Sequence, residues 1–203
     1  MIEQGSKEWY AARLGQLSAS RIADAIARTK SGYGASRANL MANLICERLT
    51  GVPMEGFTSQ AMQWGLDIEP QAKAAYEFRT DRTITPVGYI PHPDIDHSGA
   101  SPDGLIDHDG LIEVKCPNTS THIDTLLGQS IPGKYVIQMM WQMECTGRAY
   151  ADFCSFDPRL PENLQLFIKR VDRDEKRLSE LRTEVKAFLA EMDEKLDALS
   201  KIP

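Results

Sequence analysis

Two short stretches carry most of the chemistry this 203-residue chain offers: Ser101-Pro102-Asp103-Gly104-Leu105, then Leu111-Ile112-Glu113-Val114-Lys115-Cys116-Pro117. Side chains alternate along a strand, so Glu113 and Lys115 share one face while Val114 enters the opposite layer. Asp103 ends the preceding strand, and the loop through Asp109-Gly110 returns the chain beside it. A hairpin of that length brings the Asp103 and Glu113 carboxylates within a few Å. Packed carboxylates repel and are costly to keep ionised without a cation. Magnesium answers that need: it takes oxygen ligands at about 2.0–2.1 Å, keeps several waters and accepts phosphate oxygens. The Val114 carbonyl offers a further protein oxygen. Lys115 beside the metal would orient an attacking water and stabilise its hydroxide form or developing charge on phosphorus. Each element also has a plain structural reading, since Pro-Asp-Gly is favoured turn chemistry and Glu-x-Lys is a common solvated pair on a strand. The apolar neighbours of Glu113 and Lys115 tip the balance, because charges in a central strand need a reason.

The elements that must hold these residues are readable from periodicity. Ser18-Ala19-Ser20 offers capping hydroxyls before a helix over 21–27, and Leu40, Leu44, Ile45 and Leu49 mark a second. A third is expected from about Ser59 to Thr80, with Met62, Leu66, Ala72, Ala75 and Tyr76 on its apolar side. Strands are expected over Ile84 to Ile90, Ser98 to Ile106, Leu111 to Lys115, Ala149 to Phe156 and Leu164 to Val171, separated by turns rich in Pro, Asp and Gly. A helix over Lys134 to Thr146 between the third and fourth strands makes the sheet mixed. Leu178, Leu181, Val185, Phe188, Met192, Leu196 and Leu199 predict a long amphipathic C-terminal helix. The expected class is therefore α/β (α+β): a central mixed sheet flanked by helices, with a helical N-terminal third, in a single domain over 1–203.

Composition narrows the function classes. The 42% apolar content supports a packed core, and no stretch approaches the roughly 18 apolar residues of a membrane helix. Met1-Ile2-Glu3-Gln4-Gly5 shows no secretory signal. Cys46, Cys116, Cys145 and Cys154 are scattered, which argues against a disulfide framework, a zinc ribbon or an iron–sulfur cluster and for a reducing cytoplasm. Net charge is −6. Residues 1–50 hold seven basic and four acidic residues, a balance of +3, which leaves −9 on the remainder. An acidic protein can hold a polyanion if its cations line one groove and metal ions neutralise a carboxylate cluster. No Gly-x-Ser-x-Gly elbow supports a serine hydrolase. Trp9, Trp64 and Trp141 read as core anchors, and His92, His97, His108 and His122, in or near loops, lack ligand spacing.

The pattern Pro-Asp-(x)9-Glu-x-Lys resembles the PD-(D/E)XK nuclease superfamily with its restriction-endonuclease-like core. Further motifs narrow this to a resemblance, over nearly the full chain, to the phage lambda exonuclease or YqaJ-like viral recombinase family. They are Trp9-Tyr10-Ala11-Ala12-Arg13-Leu14-Gly15 with Ser18-Ala19-Ser20, Met62 through Glu69, Tyr135 through Trp141, and Asp157-Pro158-Arg159. The resemblance implies a magnesium-dependent 5′→3′ exonuclease on linear double-stranded DNA that releases mononucleotides and leaves 3′ single-stranded tails. It also implies two Mg2+ per site (with Mn2+ as a substitute), a ring-shaped homotrimer threaded by DNA, and a single-strand annealing protein as partner. By position, Asp103, Glu113 and the Val114 carbonyl bind metal, Lys115 is the catalytic lysine, and Glu69 reaches a second metal or the water. Arg13, Ser20, Ser101 and Gln138 form the 5′-phosphate pocket, Tyr135 lines the DNA side and Met62 stands where an apolar wedge belongs. A sequence- or structure-specific endonuclease, or a binding module with a dead site, are the competing readings.

Overall fold

The computed structural model describes residues 3–30, 32–54 and 60–203. Its centre is a five-stranded sheet in the order β10 (Leu166–Asp172), β9 (Tyr150–Phe156), β8 (Gly110–Lys115), β7 (Gly104–Ile106) and β4 (Ile84–Thr85). β8 and β9 pair in parallel and the other pairings in this sheet are antiparallel, so the expected mixed sheet is present. A parallel step needs a crossover, and α5 (Thr119–Gly128) with α6 (Gly133–Thr146) supplies it.

Strand alternation splits the core in two. Leu111, Ala151 and Phe153 join a cluster built with α2 (Ile22–Ala25), α3 (Ala35–Thr50), α6 and α7 (Glu175–Ser200). Ile112, Val114 and Cys154 join the other, against Ile68, Ala72 and Tyr76 of α4 (Gln60–Thr80). Glu113 therefore lies on the α6 side and Val114 on the α4 side. α7 packs the apolar stripe read from its sequence from Leu178 to Met192, with Leu196 partly buried and Leu199 exposed, and its N-cap Asp174 accepts the Lys176 and Arg177 N–H groups at 3.0 and 3.1 Å.

Several expected boundaries differ. Ile84 to Ile90 is two strands in two sheets, because Pro86 cannot donate to a ladder: β4 belongs to the central sheet and β5 (Ile90–Pro91) to a three-stranded one. Ser98 to Ile106 likewise divides into β6 (Ser98–Ala100) and β7, with Ser101-Pro102-Asp103 between them. The smaller sheet runs β1 (Leu17–Ser18), β6, β5, with β1 and β6 parallel. The helix expected over 21–27 is a 3₁₀ turn over Ala19–Arg21 followed by the single turn of α2. Ser18 does not cap it; the Ser18 and Ser20 hydroxyls lie 3.2 Å apart instead. α4 runs unbroken through Pro70, and its expected start at Ser59 lies outside the described residues. α1 (Lys7–Arg13), α5 and the paired strands β2 (Arg28–Thr29) and β3 (Gly32–Tyr33) carried no expectation. The last two are tied to α7 by Glu184, which Arg28 reaches at 2.6 Å and the Tyr33 hydroxyl at 3.0 Å.

One buried network joins β9, β10 and α4. Asp152 accepts the Tyr76 hydroxyl at 2.7 Å and the Arg170 fork at 2.8 and 3.0 Å. Asp152→Ala orphans both donors, and a loss of about 2–4 kcal/mol in urea unfolding is expected after discounting for the half-exposed arginine. A change below about 0.5 kcal/mol would mean that solvent replaces the carboxylate without penalty.

Candidate active site

Asp103 stands where the chain leaves β6 and enters β7. Its N–H donates to the Ile112 carbonyl at 3.2 Å, and its Oδ2 accepts the Val114 N–H at 2.6 Å. Those two bonds follow from the β7–β8 register Gly104↔Ile112, and they anchor the Asp103 carboxylate on the strand that carries Glu113. Glu113 is 0% exposed. Its Oε1 accepts Gln138 Nε2 at 2.7 Å, its Oε2 accepts Gln142 Nε2 at 2.6 Å, and it ion-pairs with Lys115. Gln138 and Gln142 are one helical turn apart on α6, so both amides descend on the same carboxylate. The Lys115 ammonium lies 5.2 Å from the Tyr135 ring centroid, and that ring stacks on Phe153 at 5.7 Å.

The electrostatics follow from this crowding. Burial and the Glu113 charge push Asp103 up to about 8, with Glu69 adding to the effect and Lys115 opposing it. Burial opposes the charge on Lys115, but Glu113 and Asp103 outweigh it and hold the ammonium above its ordinary range. Lys115 is therefore a cation at neutral pH, suited to steadying an anionic oxygen and unsuited to removing a proton. Burial, then Glu69 and Asp103, push the Cys116 thiol up to about 12, which removes it as a nucleophile. Without a cation Asp103 keeps its proton at neutral pH, and a divalent ion that displaces that proton meets two carboxylates and one ammonium, a set of hard oxygen donors with one negative charge left over that suits magnesium. Among the described residues no three His, Cys, Asp or Glu side chains gather within reach of one metal ion, so a cation here would rest on two carboxylates, backbone oxygen and water. Glu69, on α4, acts on Asp103 through its charge while its own carboxylate pairs with Lys73 at 2.6 Å.

The residues read as a phosphate pocket divide. The parallel register Ser18↔Gly99 sends β1 and β6 out at the same end, so Ser20 and Ser101 each follow two residues past it. The Trp9 indole donates to Ser101 Oγ at 3.0 Å, and the Arg13 guanidinium lies 4.0 Å from the Trp9 ring centroid. Arg13, Trp9 and Ser101 are thus one stacked group leading into Asp103. Gln138 is drawn to Glu113, and Tyr135 carries Lys115. Met62 is exposed on α4. The Trp141 side chain is the core anchor expected of it; Trp64 packs partly buried against the second cluster and also carries Arg159, while Trp9 carries Arg13. Gln142 lies with Tyr135 and Gln138 on one polar face of α6, at i, i+3 and i+7 spacing, and that face looks onto Glu113. His122 lies in α5, fully buried, bonded to Ser155 Oγ at 2.7 Å and the Leu164 carbonyl at 2.9 Å.

Because Asp103 holds its proton more tightly when folded, it contributes stability below its ordinary value of 3.8 that is lost as pH rises through about 8. In metal-free protein, the thermal midpoint of Asp103→Asn should fall less between about pH 5 and pH 8 than that of the unmodified chain. Parallel curves would remove the repulsion from the account.

Residues 8–149 match the YqaJ-like viral recombinase domain. The alkaline exonuclease LHK-Exo from Laribacter hongkongensis is 48% identical, with 97% of each chain covered and a TM-score of 0.90. Its complex with dAMP superposes with a TM-score of 0.91. A phage related exonuclease from Haemophilus somnus shares the fold at 14% identity and a TM-score of 0.75, covering 91% of this chain and 96% of its own. No curated protein sequence matches the chain. On the extent of the domain match, the chain belongs to the YqaJ-like viral recombinase family.

Proposed function

We propose that the chain is a magnesium-dependent 5′→3′ exonuclease that digests linear duplex DNA to mononucleotides and leaves 3′ single-stranded tails for annealing-based recombination. The observation that carries the reading is the convergence of Asp103, Glu113 and the Lys115 ammonium, close enough that burial and Glu113 raise Asp103 to about 8. Family membership and a 48% identical alkaline exonuclease support the nuclease class. The dAMP complex of that relative fits a site that accommodates a mononucleotide.

In this reading Asp103, Glu113 and the Val114 carbonyl hold magnesium, with Glu69 at its margin. Magnesium supplies Lewis-acid stabilisation of the attacking and leaving oxygens, and manganese would serve in its place. Gln138 and Gln142 clamp the Glu113 carboxylate so that it cannot rotate away. Lys115, steered by Glu113 and Tyr135, orients water and offsets charge growing on the phosphoryl oxygens. Arg13, with Ser20 and Ser101, grips the terminal 5′-phosphate through a planar fork. That grip sets the polarity of digestion. A ring-shaped trimer around the duplex and a single-strand annealing partner belong to the same proposal, as does action in the cytoplasm of a host cell.

End-labelled linear duplex, with and without a 5′-phosphate and magnesium, tests the reading. Lys115→Ala should slow digestion by at least about 100-fold while duplex binding persists; near-normal digestion contradicts the assignment. Arg13→Ala should erase most of the preference for 5′-phosphorylated over 5′-hydroxyl ends, and an unchanged preference counts against the pocket. Nicking of covalently closed circles would move the reading to an endonuclease.

A further inference from the structure

Asp157-Pro158-Arg159 follows β9 directly, and because β9 is parallel to β8 it emerges from the same sheet edge as Lys115-Cys116-Pro117. The Asp157 side chain is fully buried, while the Arg159 side chain is 45% exposed. Asp157 Oδ1 accepts the Arg159 backbone N–H at 3.0 Å and its Nε at 2.7 Å; Oδ2 accepts Nη2 at 2.9 Å. The same Nη2 donates to the Pro117 carbonyl at 3.2 Å. The guanidinium lies 4.4 Å from the ring centroid of Trp64, on α4. Among the described residues Nη1 makes no hydrogen bond.

This construction repeats the one at Arg13, a guanidinium laid over a tryptophan next to the carboxylates. Tying two strand exits together uses only the Nε–Nη2 edge. The other edge keeps two N–H donors on a group that is already fixed, so little entropy remains to be lost on binding an anion. Pro117 is two residues past Lys115, about 7 Å of extended chain at most. An anion on that edge therefore sits next to the reacting centre, apart from the Arg13–Trp9–Ser101 group.

We infer that Arg159 is a backbone clamp: its Nη1 edge takes a non-terminal phosphate of the DNA, and Asp157 and Trp64 hold it in position. The inference rests on the reading of the site as a DNA-cutting centre. Its contact is with phosphate and carries no sequence preference.

The test is duplex affinity of the full chain by fluorescence anisotropy over a salt series without divalent ions, together with steady-state digestion in magnesium. Arg159→Ala should weaken binding several-fold, reduce the slope of log affinity against log salt by about 0.9 per contact, raise KM more than it lowers kcat, and leave the 5′-phosphate preference intact. Arg159→Lys can pair with Asp157 but cannot span Asp157 and a phosphate together, so it should show the same slope change with the fold retained. An unchanged slope in both variants overturns the clamp, and a lowered thermal midpoint with an unchanged slope reduces Arg159 to a structural tie. Failure of the unmodified chain to digest any duplex would sink the nuclease reading instead, and the two failures are read from separate measurements.

Discussion

The repulsion between Asp103 and Glu113 is the constraint around which the site is arranged. The β7–β8 register fixes the two carboxylates on neighbouring strands, where neither can swing out to water: Asp103 is held by the Val114 N–H and Glu113 by two glutamines. Lys115 offsets one of the two charges, and the other is met at neutral pH by a proton on Asp103 that a divalent cation can displace. A surface pair would relieve such repulsion by rotating apart or by screening. Here Glu113 is fully buried and Asp103 is tied to the Val114 N–H, so the pair cannot simply rotate apart and the crowding favours a cation between them.

Everything around the pair serves to keep it crowded. The parallel β8–β9 step requires a crossover, and that crossover is α6, which delivers Gln138 and Gln142 to Glu113 from above. The amides take up acceptor capacity on Glu113 without adding charge, so they order the carboxylate and leave its negative charge for a metal and for Lys115. Val114 faces the opposite core with α4, which fixes the strand against slippage, since a one-residue slip would exchange Glu113 for an apolar side chain. Two arginines stacked on tryptophans flank the arrangement at Ser101 and at Pro117, the chain segments on either side of the carboxylates.

The sequence was most informative where periodicity and chemistry coincided. Alternation in Leu-Ile-Glu-Val-Lys assigns Glu113 and Lys115 to one face, and the helix expected over 134–146 explains the mixed sheet; both are present. Less was visible where tertiary context decides. Pro102-Asp103-Gly104 is a local turn signal inside Ser98 to Ile106, but that its two halves join different sheets is decided by their partners, β1 and β5 on one side and β4 and β8 on the other. The 16-residue α3 is longer than its apolar markers indicate, running until Gly51 takes a left-handed conformation at φ 70°. Gln138 was assigned to phosphate by position alone, and only the descent of α6 onto β8 reveals its carboxylate partner. Asp157-Pro158-Arg159 was recognisable as a motif, but its use of Trp64 and Pro117 depends on contacts distant in sequence.

The most direct measurement of the central claim is calorimetric titration of magnesium into the unmodified chain and into Glu113→Gln, which keeps the side-chain shape and removes one of the opposed charges. Saturable binding to the unmodified chain and its loss in the variant is the expected result. Equal binding to both would place the cation elsewhere and contradict the account.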